Sequence, residues 1–230
     1  VRVTGEAGAS IGVTLTGTVG TVTLSPIVAN GAEQAARLTS GDLNTLGEGL
    51  VIVSAVQTDA AGNTQPIAAE LTFRLDTVAP AAPLVNLANG VTNPISLAEA
   101  TQVAAAGGLL SVRGEAGAEL TITFSGALGG VTRTLTATGF NQPIELSPAE
   151  VTSLGDGLLD VTARQVDPAG NDSSETAPMN LTLDTVDPTI YSRLLDAPAG
   201  FYNAGDQIPI VITLSEPAVP GQQVSVLLNV

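Results

Sequence analysis

The chain has 230 residues and a net charge of −15, with 22 acidic residues against 7 basic ones. This charge argues against partners such as nucleic acid or anionic membranes, because both need a positive protein surface. His and Cys are absent, which removes the commonest general base, thiolate nucleophiles, disulfides and cysteine-based metal sites. We therefore predict that the chain is not an enzyme. No apolar run reaches the ~18 residues that a membrane-spanning helix needs, so we predict no membrane insertion.

Strand-like runs dominate the chain from start to end. They span residues 11–15, 19–24, 50–56 and 71–75, and then 120–124, 131–138, 158–165 and 179–183. Apolar and polar residues alternate within them, which is typical of antiparallel strands with one buried face. Helix signals are weak: residues 96–106 fit either a short helical turn or an irregular crossing segment, and Ser147 before Pro148 predicts a single turn.

Internal repetition is the strongest signal in the sequence. Four blocks recur in the same order at an offset of 108 or 109 residues, namely 5–9 with 114–118, 46–50 with 154–158, 59–63 with 167–171, and 75–80 with 183–188. This period is too long for a solenoid unit of about 20–50 residues, but it matches a β-sandwich domain of about 100 residues. We predict an all-β fold of tandem immunoglobulin-like antiparallel β-sandwiches, joined by short linkers that contain proline.

The repeat divides the chain into three predicted units. Residues 1–78 form a repeat without its N-terminal leader, 79–186 form a complete repeat, and 187–230 begin a third, truncated unit. The leader of the second repeat is residues 81–110. We expect the chain to be an excerpt of a longer polypeptide; the alternative is that neighbouring copies supply the missing strands.

Two of the repeated blocks carry a family resemblance. Asp-Ala-Ala-Gly-Asn at 59–63 and Leu-Asp-Thr-Val-Ala-Pro at 75–80 resemble bacterial immunoglobulin-like repeats of very large adhesins, of the RTX or biofilm type, that are exported by type I secretion. Residues 93–100 resemble the opening of the same repeats, and 200–217 resemble a second subtype. The resemblance implies an extracellular spacer at the bacterial cell surface, which supports surface attachment or biofilm formation and is stiffened by calcium.

The candidate calcium ligands are acidic or asparagine residues within the recurring blocks. They are Asp59, Asn63, Asp76, Asp167, Asn171, Asp184 and Asp187, with Glu6 and Glu115 in turns at the domain ends. Calcium takes six to eight oxygen ligands, whereas zinc prefers the His and Cys that the chain lacks. The strand-end aspartates lie beside the linkers, so they can meet loops of the next domain. Simple turn chemistry explains the same residues equally well.

Two other functions stay open at this point. The first is a self-assembling surface-layer or filament subunit, whose partners would include other copies of the chain as well as neighbouring repeats. The second is a carbohydrate-binding module, which usually offers an aromatic platform for sugars. Only Tyr191, Phe201 and Tyr202 cluster in the sequence, and core packing explains them better.

Overall fold

The structure of the chain is a computed structural model, which describes residues 1–65, 69–195, 203, 205–206 and 210–215. Of residues 191–195 and 210, the backbone alone is described. The predictions for Phe201 and Tyr202, and for most of the segment 200–217, therefore lie outside the described residues.

The first unit consists of two antiparallel sheets and one helix. Its elements are β1 (Arg2–Val3), β2 (Ser10–Thr16), β3 (Thr21–Thr23), β4 (Ile27–Val28), β5 (Gln34–Ala35), α1 (Ser40–Leu46), β6 (Gly49–Thr58) and β7 (Ala69–Leu75). The larger sheet has the order β3-β2-β6-β7 with β4 also paired to β2, and the smaller one pairs β1 with β5. Alternate residues of β2 are buried, namely Ile11, Val13 and Leu15. This period of two places one face of the sheet on the core.

The second unit repeats this plan with additional elements. Its elements are β8 (Leu84–Leu87), α2 (Leu97–Ala100), a 3-10 turn (Ala104–Ala106), β9 (Leu110–Arg113), β10 (Glu119–Ser125), β11 (Gly130–Thr136), β12 (Gln142–Ile144), α3 (Pro148–Leu154), β13 (Gly157–Val166) and β14 (Met179–Leu183). The strands form one sheet of order β11-β10-β13-β14 and one of order β12-β9-β8. Beyond this unit, β15 (Ile190–Leu195) and β16 (Ile210–Leu214) form an antiparallel pair.

Each unit has its own hydrophobic core between its two sheets. In the second unit, side chains of both sheets meet around Phe124, which is 0% exposed. In the first unit, Val3 of the small sheet packs with Leu15 and Val51 of the large one. The predicted all-β sandwich fold is confirmed, whereas the division at residues 78 and 186 stays a prediction. In the described part of the chain, no helix is long and apolar enough to cross a membrane.

The helices differ from the sequence prediction in two places. The turn predicted at Ser147 is a helix of seven residues, in which Ser147 and Glu150 form a reciprocal capping box. Residues 40–46 of the first unit form the matching helix α1, which the sequence analysis missed, capped by Thr39 and Asp42. The ambiguous segment 96–106 contains both the short helix α2 and the 3-10 turn.

The leader of the second unit connects its two sheets. Its strand β8 pairs with β9, and further along Ile95 forms a parallel bridge with Leu183 of β14. Ala88, Val91, Ile95 and Ala100 of the leader are buried in the core of the second unit.

Candidate functional site at the junction between the repeats

The last strand of each unit ends at a repeated acidic contact. The carboxylate of Glu48 accepts a hydrogen bond from the backbone N–H of Thr77 at 2.9 Å. In the second unit, Asp156 accepts from both the backbone N–H and the hydroxyl of Thr185, each at 2.8 Å. The sequence analysis missed this role of Glu48 and Asp156. The signal for it was the recurrence of an acidic residue at the centre of the blocks 46–50 and 154–158.

The two Asp-x-x-Gly-Asn blocks form tight turns closed by their own aspartate. The carboxylate of Asp167 accepts hydrogen bonds from Ala169 N at 2.8 Å, from Asn171 N at 2.9 Å and from Asn171 Nδ2 at 2.8 Å. Asp59 makes the same three contacts in the first unit. In both turns, chiefly the hydrogen bond from the asparagine side chain lowers the pKa of the aspartate. Turn chemistry therefore explains part of this motif.

The strand end of the first unit meets the Asp167 turn of the second unit. Asn171 Nδ2 donates a hydrogen bond to the backbone carbonyl of Asp76 at 3.2 Å. Asp167 is buried at 6% exposure, whereas its counterpart Asp59 is half-buried. The Asp76 backbone carbonyl and the Asp167 carboxylate thus both accept from Asn171 Nδ2, which joins the strand end to the turn across the junction between two repeats.

The linker between the repeats packs against the second unit. Pro80 and Pro83 are buried, and Gln165 Nε2 donates a hydrogen bond to the Ala81 carbonyl at 2.6 Å. The other end of the Gln165 amide accepts from the backbone N–H of Glu115 at 2.9 Å. Proline fixes φ and restricts the residue before it, so this linker has few ways to bend.

The two predicted glutamates occupy equivalent turns with different surroundings. Glu115 is exposed and borders a groove of about 240 Å³ together with Ala81, Ala82 and Gln165 of the junction. Glu6 is also exposed, and its backbone N–H donates to Gln57 Oε1 at 2.9 Å. Among the described residues, no linker lies beside Glu6. Glu115 is thus placed at the junction between the first and second units.

The predicted residues at the end of the second unit are exposed. Asp184 accepts a hydrogen bond from Val186 N at 3.3 Å, and Asp187 lies further along the same connection. Asp76 makes the equivalent contact with Val78 N at 3.2 Å.

The junction offers oxygen atoms and no softer ligands. Within the described residues, no three acidic, His or Cys side chains lie close enough together to hold a metal ion. A cation between Asp76 and Asp167 would therefore need carbonyl oxygens, the amide oxygen of Asn171 and water in addition to the two carboxylates. Calcium accepts such mixed oxygen sets.

Comparisons with known proteins find similarity to solved structures from two large adhesion proteins. No family model and no curated protein matches it. A solved structure from a 1.5-MDa bacterial ice-binding adhesin is 22% identical, with a TM-score of 0.39, and the match covers 79% of this chain and 55% of that one. A tetra-tandem repeat from the extending region of a large adhesion protein is 19% identical, with a TM-score of 0.37, over 91% of this chain and 56% of that one. The chain thus spans about half the length of these structures, and TM-scores this low carry no argument about function.

Proposed function

We propose that the chain is an extender segment of a large bacterial cell-surface adhesin. Its role is mechanical: tandem β-sandwiches hold a binding region of the full protein away from the cell. The observation that carries the proposal is the junction, in which the linker prolines are buried and Asn171 and Gln165 bind the backbone of the preceding segment. The sequence offers no support for an enzymatic function, because the chain lacks the His, Cys and Lys of ordinary nucleophile–base pairs.

We further propose that calcium stiffens the junction. Asp76 and Asp167 would supply carboxylates from the two sides, while Asn171 would turn its amide oxygen toward the ion. Glu115 lies beside the linker and would add charge. Asp59 with Asn63, and Asp184 with Asp187, are the corresponding groups for junctions with further repeats. Extracellular calcium modules bind at about 10⁻⁴–10⁻³ M, so such an array would stiffen outside the cell and stay soft inside it.

Thermal unfolding of residues 1–230 in millimolar calcium, in excess chelator and in magnesium tests this proposal. An ion that binds only the folded protein adds about 2.7 kcal/mol to the free energy of unfolding at a hundredfold excess over Kd. We expect a rise in melting temperature that is specific to calcium and is lost in Asp76→Ala. Asp160→Ala, in β13 and outside the junction, is the matched control. An equal melting temperature in all three conditions would eliminate the calcium clamp.

A self-assembling filament subunit is the second candidate function. It is favoured by β11, which lies at the edge of the larger sheet of the second unit and pairs only with β10 among the described residues. Open strand edges of this kind pair readily with other chains. Light scattering separates the two candidates, because an extender stays monomeric at the concentrations at which a filament subunit assembles.

A further inference from the structure

Two loops of the chain contain the same tripeptide, Ala-Asn-Gly. It occurs at residues 29–31 of the first unit and at 88–90 in the leader of the second unit, and Asn-Gly occurs nowhere else in the sequence. Asparagine before glycine loses its side-chain amide readily, because glycine has no Cβ to hinder ring closure and leaves the backbone free to rotate. The tripeptide is the same in both loops, so a difference in reactivity between them reports the fold.

The loop in the leader leaves the reacting groups without partners. Asn89 and Gly90 are exposed, and a side chain at Gly90 would meet open space. Gly90 has a φ of +86°, and one hydrogen bond, from Val91 N to the Ala88 carbonyl at 3.1 Å, closes the turn. Within the described part of the chain, neither the Asn89 amide nor the Gly90 N–H forms a hydrogen bond. Opening this single turn is therefore enough to let the two groups meet.

In the first unit, the asparagine itself holds the loop. Asn30 Oδ1 accepts a hydrogen bond from Ala32 N at 2.9 Å. The backbone N–H of Asn30 donates to Gln34 Oε1 at 3.1 Å. The side chain must give up its contact with Ala32 before it can reach Gly31 N. Two hydrogen bonds thus restrain Asn30 directly, against one turn bond beside Asn89, so ring closure meets more resistance in the first unit.

We propose that the pair Asn89–Gly90 is a site of spontaneous deamidation, with water as the only co-reactant. The Gly90 backbone nitrogen loses its proton and attacks Cγ of Asn89, so that a C–N bond forms. The bond from Cγ to Nδ2 breaks, and the side-chain nitrogen leaves as ammonia with that proton. Water then opens the cyclic imide at either carbonyl, which gives aspartate or isoaspartate. No oxidant or reductant takes part, because each step is a substitution or a hydrolysis.

The modification falls between two packed residues of the second unit. Ala88 and Val91, on either side of the pair, are 5% and 8% exposed and belong to the core of this unit. Isoaspartate inserts one more carbon into the backbone between them, which displaces a buried side chain or distorts the turn. Either product also adds a negative charge to a chain of net charge −15. The second unit should therefore lose stability as the protein ages, whatever the function of the full protein.

Peptide mapping of the aged, folded chain by mass spectrometry tests the proposal. The chain and Asn89→Gln, whose longer side chain closes a ring far less readily, are incubated in mildly alkaline buffer with chelator. A sample in denaturant gives the two rates without the fold. Relative to their ratio in denaturant, we expect Asn89 to react about two- to tenfold faster than Asn30 in the folded chain, the factor that one hydrogen bond supplies.

The same samples test the effect on stability. Chemical denaturation, followed by hydrogen exchange at β10 and β13, should show a lower midpoint for the second unit of the aged chain than for the fresh chain. Aged Asn89→Gln should keep the midpoint of its fresh sample.

Three results would overturn the proposal. The first is the absence of aspartate and isoaspartate at position 89 in the aged chain. The second is a relative rate of one or below, which would mean that the fold protects Asn89 at least as well as Asn30. The third is an unchanged midpoint of the second unit once the product has formed. Because every sample contains chelator, the outcome is separate from that of the calcium clamp.

Discussion

The first and second units share one strand order, but they differ in how much core they bury. Among the described residues, the core of the second unit contains 21 buried apolar residues, against 9 in the first unit. Part of the difference comes from the leader, and part from positions such as Leu75, which stays half-buried where Leu183 is covered. The comparison shows that the leader is a structural component of this repeat as well as a connection between repeats.

The largest expected effect on stability comes from a substitution in the leader. Ile95→Ala removes a fully buried side chain from the core of the second unit and should cost about 2–5 kcal/mol of its unfolding free energy. Chemical denaturation, monitored by hydrogen exchange, measures the unfolding of each unit separately. Exchange at β10 and β13 should accelerate, while exchange at β2 and β6 stays unchanged. Equal acceleration in both units would show that the leader does not act on the second core alone.

Replacing Gln165 should lower the free energy of unfolding more than replacing its counterpart Gln57. Gln165 is 3% exposed, and Gln165→Leu leaves the Ala81 carbonyl and the Glu115 N–H without their partly buried hydrogen bonds, so we expect a loss of about 1–3 kcal/mol. Gln57→Leu should cost less, since water reaches the same place in the first unit. Denaturant midpoints of the two variants measure the difference. A larger loss for Gln57→Leu would contradict the comparison of the two units.

Replacing the aspartate of each turn should also destabilise the second unit more than the first. Asp167→Ala removes the acceptor of three hydrogen bonds at the junction and should lower the denaturant midpoint more than Asp59→Ala does in the half-buried turn. Both aspartates have a lowered pKa, so their stabilisation is complete above the ordinary carboxyl pKa and fades as the pH falls. Unfolding of each variant in chelator keeps the test free of any bound cation. Equal losses would mean that the junction does not bury the Asp167 turn.

The smallest expected effect is the acid sensitivity of a helix cap. The hydrogen bond from Arg133, followed by those from Ser147, lowers the pKa of Glu150 to about 2 from its ordinary value of 4.5. The folded pKa lies below the unfolded one, so this stabilisation is complete above about pH 4.5 and is lost as the pH falls toward 2. Glu150→Gln should cost about 1 kcal/mol at neutral pH and flatten the pH profile of the second unit.

A matched measurement places this effect in the second unit. Hydrogen exchange at pH 5 and at lower pH should show that β13 loses protection in the parent chain and less so in Glu150→Gln. An identical pH profile for the two proteins would show that the cap contributes nothing.

The strands were predictable from the sequence, whereas α1 was not. Apolar and polar residues alternate along 50–56 and 158–165, and this pattern predicts which face of β6 and β13 is buried. The helix α1 contains Gly41, Asn44 and Thr45, which are poor helix formers. It forms because the Thr39–Asp42 capping box and the buried Leu46 fix its two ends.

The junction could be predicted only in outline. Asp76 recurs as Asp184, and Asp59 recurs as Asp167. This recurrence predicted a role for the strand ends and turns, and the linker prolines predicted a stiff linker. The contact of Asn171 with the Asp76 carbonyl joins residues 95 positions apart in two units. No local pattern encodes such a contact, because it depends on how the linker packs against the second unit.

The most direct test of the rigid extender is the distance between spin labels on the two units. The chain has no native Cys, so Thr23→Cys and Thr134→Cys place labels at exposed strand positions of each unit. Pulsed electron paramagnetic resonance should give one narrow distance distribution in millimolar calcium, and a broader one in chelator or with Asp76→Ala. A distribution that is broad in every condition would contradict a stiff junction, and with it the proposed extender role.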